Sequence, residues 1–140
     1  MPSPMAIDIS PFLRTVERLE TGLARYRSDE SDSHIRDGLI QQFEFTYDVA
    51  HKTLRRVLEA RAADPAEIDR MSFPTLIRTA FEQGLLEEGW PKWQDFRENR
   101  NITSHTYDED LAKKVANAIP AFLDEVRRFA AKLAREVSRP

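Results

Sequence analysis

Apolar residues recur at three- and four-residue steps along nearly the whole of this chain, a periodicity that points to helices throughout. Phe12, Leu13, Val16, Leu19, Leu23 and Tyr26 draw one stripe down the first segment, which Ser10 and Pro11 open. Proline is tolerated there because the first helical N–H has no partner to lose. After a polar turn over residues 28–33, a second helix is expected at about 34–63. Its inward residues are Ile35, Leu39, Phe43, Tyr47, Ala50, Leu54, Val57 and Leu58. The run FEFTY at 43–47 alternates like a strand. Helical spacing on both sides and the absence of turn residues assign it to the helix. Asp64-Pro65 closes this element, since the residue before a proline is driven out of the α region.

Ser72 and Pro74 open a third helix carrying Leu76, Ile77, Ala80 and Phe81, which Gly84 is placed to terminate. A fourth begins near Pro91 and carries Trp93 and Phe96. The run NITSHT at 101–106 is rich in β-branched and cap-forming residues, which weaken or end a helix. Either Thr106 with Glu109, as a capping box, or Asp108 starts the last helix. That helix carries Leu111, Val115, Ile119, Phe122, Val126, Phe129, Leu133 and Val137, and Pro120 inside it predicts a kink. Residues 1–140 read as a single all-α domain, an up-and-down antiparallel bundle of about five helices.

Composition narrows the function classes. At 140 residues the chain is long enough to bury a core without cross-links. It has no cysteine, so disulfides, thiolate metal sites and thiol nucleophiles are excluded and a reducing cytoplasm is the natural compartment. No apolar run approaches the ~20 residues that span a bilayer. The opening MPSPMAIDIS lacks the regions of a signal peptide, so neither membrane nor export is expected. The formal net charge is −3, and any contact with RNA must therefore be local.

Arg100 and His105 are the residues best suited to chemistry. An imidazole can take or give a proton near neutral pH. A guanidinium can bind a phosphate and stabilise the added charge of a phosphorane. Together they suffice for metal-independent RNA cleavage, in which the 2′-hydroxyl attacks its own phosphate. An Arg and a His five apart are common, and the plain alternative is a surface cation beside a polar residue at a helix end. Geometry adds a condition: at ~100° per residue the two side chains lie roughly 140° apart on a continuous helix. Convergence needs a break around residues 102–104, or a second copy across a two-fold axis.

Three separated blocks carry a family resemblance. The stretch RDGLIQQFEFTYDVA at 36–50, continuing to Lys52, resembles the second-helix signature of the nucleotidyltransferase substrate-binding proteins. Residues 77–85, IRTAFEQGL, look like that family's third helix, and RNITSHTY at 100–107 matches its Arg-x4-His-x-Tyr motif. This family falls in the HEPN superfamily and includes HepT toxins. The resemblance implies a homodimeric, or larger, assembly with a ribonuclease site at the dimer cleft and no cofactor. His105 would be base or acid and Arg100 would hold the phosphate, with Asn101, Thr103 and Ser104 in support. It further implies a small MNT-type nucleotidyltransferase antitoxin that transfers AMP to Tyr107, blocking RNA by bulk and charge. The alternative it leaves open is a non-catalytic substrate-binding subunit of a nucleotidyltransferase complex.

The chain departs from the family pattern at His51, where a tryptophan is expected, and around Pro91 and Trp93. His51 reads as a partly exposed polar residue, His34 as solvated, and Trp90 and Trp93 as core or interface aromatics. Glu44 and Asp48, four apart, read as a surface ladder with Lys52 rather than a metal site. Lys52, Arg55, Arg56 and Arg61 read as a solvated helix face that complements the helix dipole, with an RNA flank as the other option.

Overall fold

The structure is a computed structural model that describes residues 7–137. Residues 1–6, which hold part of the opening segment considered above for targeting signals, lie outside it. The helices are α1 (Ser10–Ser28), α2 (Ser33–Arg61), α3 (Pro65–Asp69), α4 (Phe73–Glu82), α5 (Trp90–Asn101) and α6 (Glu109–Val137), with a 3-10 turn, Ile102–His105, between the last two. No strand occurs among the described residues, and none of their helices is long and apolar enough to cross a membrane.

Helix starts follow local chemistry. Asp32 Oδ1 accepts from the amides of His34 and Ile35, capping α2. Ser72 caps α4 through the Thr75 amide. Asp108 Oδ1 takes the amides of Asp110 and Leu111, so Asp108 and not Thr106 caps α6. Thr106 instead donates to the Thr103 carbonyl at 3.1 Å. Gly84 ends the α4 region at φ 77°, a left-handed conformation that side chains with a Cβ disfavour. The short α3 was not expected. Asp64-Pro65 closes α2 and also begins a new helix, because Asp64 accepts from the Ala66 amide and Pro65 fills the first helical position. Among the described residues six α-helices therefore stand where about five were anticipated.

Cross-helix contacts give the directions. Thr15 meets Thr46, and Gly22 faces Leu39 across a gap that a Cβ would just fill at 3.5 Å, so α1 and α2 are antiparallel. Arg36 pairs with Glu109 and Arg61 with Glu136, so α2 and α6 run the same way. Phe96 meets Phe122 and Trp93 meets Glu125, so α5 opposes α6. The long helices thus alternate up and down.

An aromatic cluster fills the centre. Phe43 and Phe96 approach Phe122 at 5.0 and 5.3 Å, and Trp93 approaches Phe96 at 5.3 Å. Edge-on contacts of this kind add to the gain from area burial. The expected core stripes are buried, with exceptions: Phe81 is 47% exposed and Val137 48%, while Leu13, Ile35 and Leu111 are half-buried. α6 continues through Pro120 without ending.

Glu125 is the one carboxylate wholly inside the described core. It accepts from the Glu87 and Glu88 amides at 3.2 and 2.9 Å and from the Trp93 indole at 2.9 Å. Burial pushes its carboxyl above the usual range, partly countered by those donors from Trp93, Glu88 and Glu87. The loop before α5 is thereby fastened to α6, which fixes the root of the helix that carries Arg100.

Candidate functional site

Arg100 sits in the last turn of α5 and points at α2. Its Nε and Nη2 donate to the two carboxylate oxygens of Asp48 at 3.0 and 3.1 Å, a bidentate pair. Glu44 lies 3.7 Å from the same guanidinium, and Arg100 Nη1 donates to Thr103 Oγ1 at 3.3 Å. Thr103 is buried and lies 2.8 Å from both Glu44 Oε2 and the Arg100 carbonyl. The hydrogen bond to Asp48 holds the Arg100 guanidinium above its ordinary range. Five N–H groups belong to a guanidinium, so these three bonds leave two, one of them on the Nη2 that faces Glu44.

Glu44 and Asp48 therefore do not form a ladder with Lys52. They clamp a cation on another helix, 52 residues along the chain in the case of Asp48. Among the described residues no group of three or more potential ligands gathers for a metal ion.

The helix break expected near residues 102–104 is present as the 3-10 turn Ile102–His105. It carries His105 and, just beyond, Tyr107 onto the surface. His105 is exposed, Tyr107 is 88% exposed, and their rings stand edge to face at 6.2 Å. No hydrogen bond or ion pair joins His105 to Arg100 among the described residues. Of the three supporting residues, Thr103 alone reaches Arg100. Ser104 Oγ makes a long 3.5 Å bond to the Asn101 carbonyl, and Asn101 is exposed. Arg36, 6% exposed on α2, donates to Glu109 at 2.9 Å and so tethers α6 where it leaves the Tyr107 turn.

Next to Asp48, the His51 imidazole packs edge-on against Phe73 at 4.4 Å. Its Nε2 is buried without a hydrogen-bond partner. Burial, with help from Arg55, holds its pKa below the usual value.

The family model described as "nucleotidyltransferase substrate binding protein like" matches residues 7–135. The chain belongs to that family. Among its relatives, a probable ribonuclease HepT of Haemophilus influenzae is 40% identical over 88 residues, 63% of this chain and 60% of that protein. The matched segment thus spans less than two thirds of that relative. A solved Haemophilus influenzae structure, described as the fold of a substrate binding domain of a nucleotidyltransferase, superposes with a TM-score of 0.84 at 30% identity. It covers 91% of this chain and 99% of its own.

Proposed function

We propose that this chain is a HEPN-type toxin, a metal-independent endoribonuclease silenced by an MNT-type nucleotidyltransferase. The observation that carries the reading is Arg100, held in place by Asp48, Glu44 and Thr103 without using all its N–H groups, beside a turn that exposes His105 and Tyr107. In this reaction the 2′-oxygen of the RNA attacks the adjacent phosphorus and its proton passes to an imidazole. The bond to the 5′-oxygen breaks, and that oxygen leaves with a proton from a second acid. The products are a 2′,3′-cyclic phosphate and a free 5′-hydroxyl. Arg100 carries the phosphorane charge. A homodimer, in which two copies share one groove, supplies two His105 side chains, one for each proton transfer. Silencing follows when the Tyr107 phenolic oxygen, giving up its proton, attacks the α-phosphorus of ATP; the bond to the β-phosphate oxygen breaks, pyrophosphate leaves and AMP stays on the exposed ring.

The test is cleavage of RNA in EDTA by protein prepared without the nucleotidyltransferase. Cleavage that persists in chelator and leaves cyclic phosphate ends is expected. Arg100→Ala and His105→Ala should each lower the rate by about 10²–10⁴-fold. No cleavage by the unmodified protein overturns the proposal and favours a second reading, a non-catalytic substrate-binding subunit. That reading draws support from the description of the superposing structure as a substrate binding domain.

A further inference from the structure

A groove of about 390 Å³ opens along α2 from Asp48 past His51, Lys52, Arg55 and Arg56 to Glu59. It begins at Asp48, whose carboxylate holds Arg100, so groove and candidate site share a wall. The charge here differs from that of the molecule. The chain has more acids than bases, with a net charge of −3, yet the lining carries three cations. Of its two acids, Asp48 is already paired with Arg100. Lys52 and Arg56 are exposed and make no ion pair among the described residues. Arg55 is steered by a bond from Nη1 to the Ile68 carbonyl at 3.1 Å. α5 adds a fourth cation, since Arg97 lies 5.4 Å over the same Phe73 ring that His51 packs against.

Cations at helical spacing on one face are commonly left solvated. Here three of them line a concave surface on α2 that leads toward the Arg100 guanidinium, and Arg97 of the antiparallel α5 stands near it over Phe73. From Asp48 to Arg56 the groove runs about 12 Å along the axis. A polyanionic strand whose reacting phosphate rests on Arg100 would continue along it. We infer that this groove binds the phosphodiester backbone of single-stranded RNA on one side of the scissile phosphate, Lys52 and Arg56 providing the charge contacts. The inference rests on the ribonuclease reading for the identity of the strand, and on the groove alone for its place.

The experiment measures binding of a fluorescent, 2′-O-methylated single-stranded RNA oligonucleotide, which cannot undergo 2′-hydroxyl attack, across a salt series. Each phosphate contact on a single strand contributes about 0.7 to the slope of log affinity against log salt. Lys52→Gln with Arg56→Gln should weaken binding and flatten that slope by about 1.4. Arg18→Gln with Arg25→Gln, on α1, removes the same charge elsewhere and should leave the slope unchanged. Equal effects of both pairs, or none from the first, overturn the groove. Loss of nucleotidyltransferase binding with RNA binding intact also overturns it and assigns the surface to an acidic protein. Wild-type binding with this signature but no cleavage of unmodified RNA leaves the groove standing and removes the ribonuclease reading. Cleavage with an unaltered slope does the reverse.

Discussion

Arg100 shows what a linear pattern conveys about a side chain and what it leaves out. Phosphate cleavage suits an arginine with a histidine, and the resemblance to the family's Arg-x4-His-x-Tyr motif singled out this pair and added Tyr107. The clamp on Arg100 was invisible. Glu44 and Asp48 sit four apart with Lys52 following at the same interval, and that local spacing suggested a ladder along α2. The actual partner lies on another helix, and the pairing needs the fold to bring it there. His51 is partly exposed, as its sequence setting suggests, but its ring contact with Phe73 depends on where α4 begins. Asp48 supplies a prediction at this scale. Asp48→Ala frees the guanidinium from both carboxylate bonds while a side chain 47% exposed is trimmed. RNA cleavage should fall about a hundredfold through misplacement of Arg100. Stability should change by no more than about 1 kcal/mol, as for other partly exposed ion pairs. Parallel cleavage rates and urea melts check it; an unchanged rate would show that Arg100 needs no clamp.

Among elements, the long helices were legible because each carries a stripe of apolar residues, and the turn at 102–105 because its residues make poor helix. The five-residue α3 carries too little periodicity to be seen, and Asp64-Pro65 registered only as a stop although the same pair can start a helix. The cap of α6 went to Asp108, one of two candidates that the sequence could not separate. On α4 the spacing rightly places Leu76, Ile77 and Ala80 inside, but Phe81 is left 47% exposed. The fastening of α5 to α6 through Glu125 carries an element-scale prediction. In Glu125→Gln one amide oxygen can still serve the Glu88 and Trp93 donors, but an NH2 group then faces the Glu87 amide. An unsatisfied buried donor costs about 1–3 kcal/mol, so a loss of roughly 2 kcal/mol is expected, with Glu125→Leu worse. Urea unfolding measures both; a neutral Glu125→Leu would mean that the loop holds without this carboxylate.

For the molecule as a whole, alternation of direction was expected from short connections, and α1 and α5 do run against α2 and α6. Pairing of two copies, by contrast, concerns surfaces that periodicity does not rank. For the homodimer of the proposed function, Phe45, 55% exposed on α2 and next in sequence to the Glu44 that faces Arg100, is the contact to test. Sedimentation should find a dimer that Phe45→Arg splits into monomers; a dimer unaffected by that change would place the contact elsewhere. The ion pairs between α2 and α6 have a mechanical consequence. Arg36 with Glu109 and Arg61 with Glu136 tie the two longest helices near both of their ends, so neither can slide along the other without parting one of the pairs. Under the proposed function AMP added at Tyr107 would act as a stopper beside His105, and any yielding would fall to the few residues between α5 and α6.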